Sequence, residues 1–504
     1  MPRRTQTLLL LLIIGLGLAL RLVGFAWQQG YQLSAIGDEL GAYQVSLRLL
    51  AGDAGAFHLS QATFKSGKLP GPLWAMFWAA GVRWGGGPEA VILMLIVLNT
   101  VAIGLVFVLG KKLFDATHGL WAALLLATAP LPIWYSVACT NPGMMAVLGA
   151  LLYLALWSVI RQSRSAHIFW VVVVCALMPQ FHMISVFLIP SVIGLLWLRR
   201  RELHWPWLAA GLVVAVALYV PYFWGETQTA WDNTHRYLLR HGKFSFSSFK
   251  ALLTPVAALG NLIESALGRR FADYQAFGRA AFGSFYVLAA INALSLLIAG
   301  LAVGSFLADF FRILRAGWRN PRETLAAAPA VMFLGVLLVV PLLLFIPTGA
   351  PYNGRYAIVA YPLLFLLPAL LLAKVRYRGL VLAGVLITIA CNLYLTLAYF
   401  RYQQDRIAHA EYFIPSFRKM DAVYQQLAAD AGPHGQPQLA AAGFAPDRDD
   451  PLTHGADALV KYVNLRAPFD HPGSPRPYRV QPMSAPVTGR IIYQGNGIAV
   501  VGPP

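Results

Sequence analysis

Long apolar runs alternate with short basic clusters along almost the whole chain. A helix needs about 20 apolar residues to cross the hydrocarbon core of a membrane. Runs of that kind predict helices over 8–27, 90–110, 118–137, 143–160, 205–224, 284–308, 327–347, 356–373 and 379–400. Basic clusters follow at Lys111-Lys112, Arg161 and Arg164, Arg199-Arg200-Arg201, Arg312 to Arg322, and Lys374, Arg376 and Arg378. The positive-inside rule places them together on the cytoplasmic side. The stretch 166–198 begins and ends at such clusters and so needs an even number of crossings. Two short helices meeting at Pro179-Gln180-Phe181-His182 provide them, with His182 at the turn. The predicted layout is eleven spans, N-terminus cytoplasmic and C-terminus outside. The first run is too long for the apolar region of a signal peptide and no A-x-A site follows it, so it is expected to stay as a helix.

The remaining segments are longer and more polar. The first outer loop, 28–88, holds Gly37-Asp38-Glu39 and a short amphipathic piece, Pro72 to Trp84, expected at the membrane interface. The long outer loop, 225–282, carries Arg236, Arg240, Lys243, Lys250, Arg269, Arg270 and Arg279. Long loops translocate regardless of charge, so these residues do not contradict the topology. Within that loop Phe249 to Leu267 is apolar, but Pro255, Asn261 and Glu264 favour a helix lying on the surface over a span. Residues 401–504 have no membrane run. Phe417 to Ala429 predicts an amphipathic helix, and Arg490 to Val501 predicts a hairpin around Asn496-Gly497. The chain thus divides into a membrane domain, 1–400, and a small exported α/β domain, 401–504.

Composition agrees. The 504 residues are 58% hydrophobic and 12% charged, about half the charged fraction of a soluble domain. The net charge of +18 would suggest nucleic acid in a soluble protein; here much of it follows the topology, and no nucleic-acid partner is expected. Cys139, Cys175 and Cys391 all lie in apolar runs and are read as packing residues.

The topology gathers Asp38, Glu39, Lys65, Lys68, Asn141, His182, the long-loop cations and Arg355 on the outer face. A carboxylate among cations at a membrane surface suits chemistry on a phosphate-linked lipid: the carboxylate takes a proton from the nucleophile and the cations stabilise the departing phosphate. Each residue also has a plainer reading. Asp38 and Glu39 could cap the helix that begins near Leu40. Lys68 and Arg21 could snorkel to lipid headgroups. His182 could be a hydrogen-bonded turn residue.

These segments resemble the GT-C membrane glycosyltransferases, specifically the protein O-mannosyltransferase and aminoarabinose-transferase superfamily labelled glycosyltransferase family 39. The carriers are Gly37-Asp38-Glu39 with Tyr43, Gly67-Lys68-Leu69-Pro70-Gly71-Pro72-Leu73 leading into a short helix, the Asn141-Pro142 turn, and Arg355-Tyr356 followed by Pro362. The resemblance covers about residues 1–400. It implies a polytopic α-helical GT-C bundle with interfacial helices in a bacterial inner membrane. It implies a polyprenyl-phosphate-linked hexose or pentose donor, inversion at the anomeric carbon, and a lipid A, glycan, glycolipid or protein acceptor. Asp38 is then the base, with Glu39 beside it. Lys68, Arg355, Tyr356, His182, Tyr43, Asn141, Arg269 and Arg270 are the candidate donor and substrate contacts. Relatives often carry an acid before the proline of the second outer turn; Asn141 stands there in this chain, so no obligatory metal is expected, a divalent ion being the alternative. A transporter or flippase of envelope lipids is the competing reading, although no internal repeat is visible. A non-catalytic subunit of envelope assembly is the third.

Overall fold

The computed structural model describes residues 2–27, 38–53, 55, 62–63, 67–239, 252–259, 271–346, 354–374, 378–408, 417–433, 435–442, 451–470, 474–483, 485, 489–495 and 498–502. Helix α1 (Arg3–Trp27) turns one face inward through Ile13, Gly17, Leu20, Arg21 and Gly24, the spacing of a single helical stripe. Helix α2 (Asp38–Leu50), strands β1 (Ala62–Thr63) and β2 (Gly67–Lys68), and helix α3 (Leu73–Gly85) follow. Then come α4 (Pro88–Leu113), α5 (Ala116–Thr128), α6 (Pro130–Val137), α7 (Met145–Arg161), α8 (His167–Phe181), α9 (Ile189–Leu198), α10 (Trp205–Gln228) and α11 (Asp232–Leu239). Among the described residues seven helices are long and apolar enough to cross a membrane, and nine if each of two bent pairs counts as one span. The stretch in which two crossings are expected holds two shorter apolar helices, Ile168–Phe181 and Met183–Leu198, neither of which is long enough to count among those spans. The chain is a multi-pass membrane protein. The helix Phe285–Gly317 has 33 residues; at 1.5 Å per residue it runs about 50 Å, well beyond the ~30 Å hydrocarbon core.

The expected helix over 118–137 is broken. Helices α5 and α6 meet at 57°, because Pro130 and Pro132 have no N–H to continue the ladder. Arg21 lies against this break. It is 1% exposed, and its guanidinium donates to Ser136 Oγ at 3.0 Å, Gly17 O at 2.8 Å and, at the limit of bonding, Ala127 O at 3.5 Å. The snorkelling expected of Arg21 is therefore not found: the Gly17 and Ala127 carbonyls and the Ser136 hydroxyl hold the charge inside.

Helix α4 packs on α5 through facing glycines: a Cβ on Gly119 would lie 2.4 Å from Phe107 O. Small residues are what allow membrane helices to approach this closely. At the same, N-terminal end of α5, the Asp115 carboxylate accepts from Thr117 N at 2.7 Å and His118 N at 3.0 Å. Partial burial alone would raise its pKa. Hydrogen bonds from His118 and Thr117 outweigh that and hold it below the usual carboxylate range. Asp115→Ala is expected to cost about 1 kcal/mol of stability at neutral pH. A carboxyl with a lowered folded pKa stabilises above its unfolded pKa of about 4 and loses that contribution as the pH falls through the folded value. Thermal melts of the variant and the wild type should therefore converge in acid; a gap that persisted there would show that the cap acts without its charge.

The chain ends in a four-stranded sheet of order β3-β4-β6-β5, with β3 (Gly435–Ala441), β4 (Ser474–Pro482), β5 (Ile491–Gly495) and β6 (Ile498–Val501). Strands β3 and β4 are parallel, the other pairs antiparallel. The predicted hairpin is the β5–β6 pair; its Asn496-Gly497 turn lies outside the described residues. Helices Phe417–Ala431 and Pro451–Asp470 pack on the sheet. Met420, Val423, Tyr424 and Leu427 are buried at helical spacing. Asn464 pins edge strand β3 by bonding both Leu439 N and Leu439 O at 2.7 Å.

Candidate functional site

The end of the helical bundle nearest the sheet is the upper end here. Asp38 is the first residue of α2, so the sequence Gly37-Asp38-Glu39 starts a helix, where a carboxylate is favoured by the exposed N–H groups and the helix dipole. The side chains of Asp38, Lys68, Arg355 and Tyr356 lie outside the described residues, as do Lys65, Arg269 and Arg270 entirely. Their backbone positions still place four of them: Asp38 opens α2, Lys68 pairs with Ala62 in the β1–β2 ladder, and Arg355 and Tyr356 belong to the 3-10 segment Gly354–Ala360.

These elements touch one another. Helix α2 packs on α3, α3 on α8, α8 on the turn Asn141–Met144, and that turn on Gly354–Ala360. Helix α11 lies against β2. Glu39 is half-buried and acts on the neighbouring region: burial lifts the Cys139 thiol well above its usual range, and the negative charges of Glu39 and Glu89 add to the effect. Glu39 is thus within electrostatic reach of a residue two positions from Asn141. Tyr43 is 2% exposed and packed between rings. Trp78 lies 6.1 Å from it at 45°, and Tyr462 is stacked at 5.9 Å and 17°. His182 is buried at the end of α8; its Nδ1 accepts from Ile184 N at 3.3 Å, which puts the proton of the neutral ring on Nε2.

Three buried acceptors near these elements have no hydrogen-bond partner among the described residues: Asn141 Oδ1, Thr140 Oγ1 and Gln180 Oε1. Buried polar atoms are normally paired, so each needs an explanation. Gln180 is fully buried and its amide donates to Leu218 O at 3.1 Å. A Cβ at Gly71, whose φ is +128°, would sit 2.2 Å from Gln180 Oε1, so the Gly67–Pro72 loop reaches α8 only because residue 71 is glycine. Gln180 and Thr140 were not singled out in the sequence, although both flank residues that were. Next to Gly354–Ala360, the apolar residues Ile184, Phe187, Leu337, Pro341, Ala357 and Val359 line a cavity. Among the described residues no three His, Cys, Asp or Glu side chains cluster as a metal site; Asp38 is not covered by that statement.

Residues 70–224 match the family model described as dolichyl-phosphate-mannose-protein mannosyltransferase. Among solved structures, ArnT from Cupriavidus metallidurans bound to undecaprenyl phosphate superposes with a TM-score of 0.58 at 13% identity, covering 97% of each chain. The same protein in the apo state gives the same values. A comparison with curated protein sequences gives no match. The order of spans, the broken helices, the paired elements at the upper end and the C-terminal sheet accompany that full-length superposition, and the chain has the GT-C glycosyltransferase fold in its ArnT-like form.

Proposed function

We propose that this protein is an inverting glycosyltransferase that moves a sugar from a polyprenyl-phosphate carrier to an acceptor at the outer face of a bacterial inner membrane. The observation that carries the reading is the convergence of the Asp38 helix start, the Asn141 turn, His182 and the Gly354–Ala360 segment at one end of an ArnT-like fold. The unpartnered acceptors Asn141 Oδ1, Thr140 Oγ1 and Gln180 Oε1 suit the hydroxyl donors of a sugar. The cavity beside Gly354–Ala360 is apolar and suits part of an isoprenoid tail. ArnT was solved with undecaprenyl phosphate, a lipid phosphate of the class proposed here.

In the proposed reaction Asp38 accepts the proton of the acceptor nucleophile as that atom attacks the anomeric carbon. The bond from that carbon to the phosphate oxygen breaks, and the lipid phosphate leaves with the electron pair. Arg355, Lys68 and the basic residues of the long loop, Arg269 and Arg270 among them, neutralise the phosphate dianion. No metal is needed for this charge balance. The sugar, hexose or pentose, and the acceptor, whether lipid A, envelope glycan, glycolipid or protein, are to be found by mass analysis of the envelope with and without the gene. Purified protein in vesicles, given polyprenyl-phosphate sugar and envelope extract, should form a glycoside and release one polyprenyl phosphate per transfer. Movement of the intact lipid across the vesicle with no glycoside formed would sink this reading and support a flippase.

A further inference from the structure

We infer that the C-terminal α/β unit positions the catalytic helix, through Tyr462 pressed on Tyr43; the catalytic part of this inference rests on the glycosyltransfer reading. Helix α2 has 13 residues, a length at which an isolated helix is marginal in water. Its place therefore depends on what it packs against. Leu40, Ala42, Tyr43, Ser46 and Leu47 form its buried face. That face has two principal walls, α3 on one side and the helix Pro451–Asp470 on the other.

Tyr43 is where the two walls meet, since Trp78 of α3 and Tyr462 of the C-terminal helix flank its ring. Tyr43 lies four residues, one helical turn, from Glu39 and on the same face. Movement of the Tyr43 ring is thus movement of the acidic first turn. Tyr462 is itself held rigidly. It is fully buried, and its hydroxyl donates to Asp421 Oδ1 at 3.2 Å. Burial keeps that hydroxyl protonated far above its ordinary range. Asp421 also pairs with Arg466, whose guanidinium lies 4.7 Å from the Tyr424 ring centre, and Tyr424 meets Tyr462 edge-on at 6.3 Å. A hydrogen bond, an ion pair and the Tyr424 ring thus tie Tyr462 and its helix to the helix Phe417–Ala431. Tyr43, a candidate substrate contact by sequence, becomes in this account a positioning residue, and Tyr462 its partner.

The full-length protein in detergent tests this with Tyr462→Ala and Tyr462→Phe. Phe keeps the stack and loses only the hydroxyl, and Asp421 retains Arg466. Hydrogen exchange of α2 amides reads the position of the helix without requiring activity. Tyr462→Ala should speed exchange across residues 39–47 about tenfold or more while leaving α4 and α7 protected, and should lower kcat about tenfold or more with KM for the lipid-linked donor within about twofold. Tyr462→Phe should hold both near wild type. Unchanged α2 exchange in Tyr462→Ala overturns the inference. So does faster exchange with unaltered kcat, since the order of α2 would then not matter to the reaction. Exchange that accelerates throughout α4 and α7 would mean a general loss of fold, and also counts against a specific clamp. If wild-type protein transfers no sugar while α2 exchange responds as stated, the glycosyltransfer reading fails and with it the catalytic half of the inference, leaving only the mechanical link.

Discussion

Asp38→Asn is expected to lower sugar transfer by about a thousandfold while leaving the protein folded and inserted. A positioned general base contributes typically 10²–10⁴, and the amide of Asn has no basicity to replace it. The substitution is nearly isosteric and removes only the interaction of the charge with the helix dipole, about 0.3–1 kcal/mol, so α2 should begin at the same residue. That separation makes the experiment informative: size-exclusion profile and thermal melt should match wild type while turnover disappears. Glu39→Gln is the companion variant. Glu39 is half-buried and electrostatically coupled to Cys139, so its loss should change the field at the site and reduce turnover about tenfold. If Asp38→Asn turned over at near wild-type rate, the base would have to be sought elsewhere, with Glu39 the first candidate. If both variants remained active, the carboxylate mechanism itself would be wrong.

Gly149→Val is expected to be among the most damaging substitutions in the membrane region, although the residue touches no substrate in the proposed mechanism. A Cβ at Gly149 would lie 2.6 Å from Val359 O. The obstacle is a backbone carbonyl, which cannot rotate away as a side chain would. The same carbonyl accepts a hydrogen bond from Tyr153 Oη at 2.9 Å, and Tyr153 stands one turn from Gly149 on α7. Relieving the clash moves the Gly354–Ala360 segment outward by about an ångström and strips Val359 O of its partner. Overpacking costs about 1–3 kcal/mol, and a buried carbonyl left unpaired about 1–3 kcal/mol more. The displaced segment carries Arg355, so donor binding should weaken together with stability. Tyr153→Phe removes only the hydrogen bond and should cost about 1–2 kcal/mol with a smaller effect on donor KM. Thermal melts and donor titrations of the two variants decide the matter. A Gly149→Val protein with wild-type stability would show that α7 and the Arg355 segment do not touch as closely as described.

The acidic pair, the Asn141 turn, His182 and Arg355 stand out in the sequence as candidates because each lies where an apolar run gives way to a polar loop. Hydrophobic runs and charge asymmetry are local properties, and a membrane acts on them directly. The residues that escaped have no such mark. Gln180 looks like a turn residue beside His182 until Gly71 is seen to leave room for its amide oxygen. Arg21 looks like a headgroup anchor until Ser136 and Ala127, on either side of the break between α5 and α6, join Gly17 as its acceptors. The break itself is half-legible: Pro130 and Pro132 announce a weakened helix, but not a 57° bend.

By itself the sequence determined that this is a polytopic helical protein and where most of its long apolar helices fall. A bilayer requires each span to be long, apolar and internally hydrogen-bonded, and those requirements are written in consecutive residues. Tertiary structure alone decided that Tyr43 is a packed ring, that Tyr462 from the far end of the chain covers it, and that Asn141, Thr140 and Gln180 keep unpaired acceptors among the described residues. Such contacts join positions with no shared period and no neighbouring signal. They exist only once the helices have packed, because what fixes them is close-packed side-chain shape.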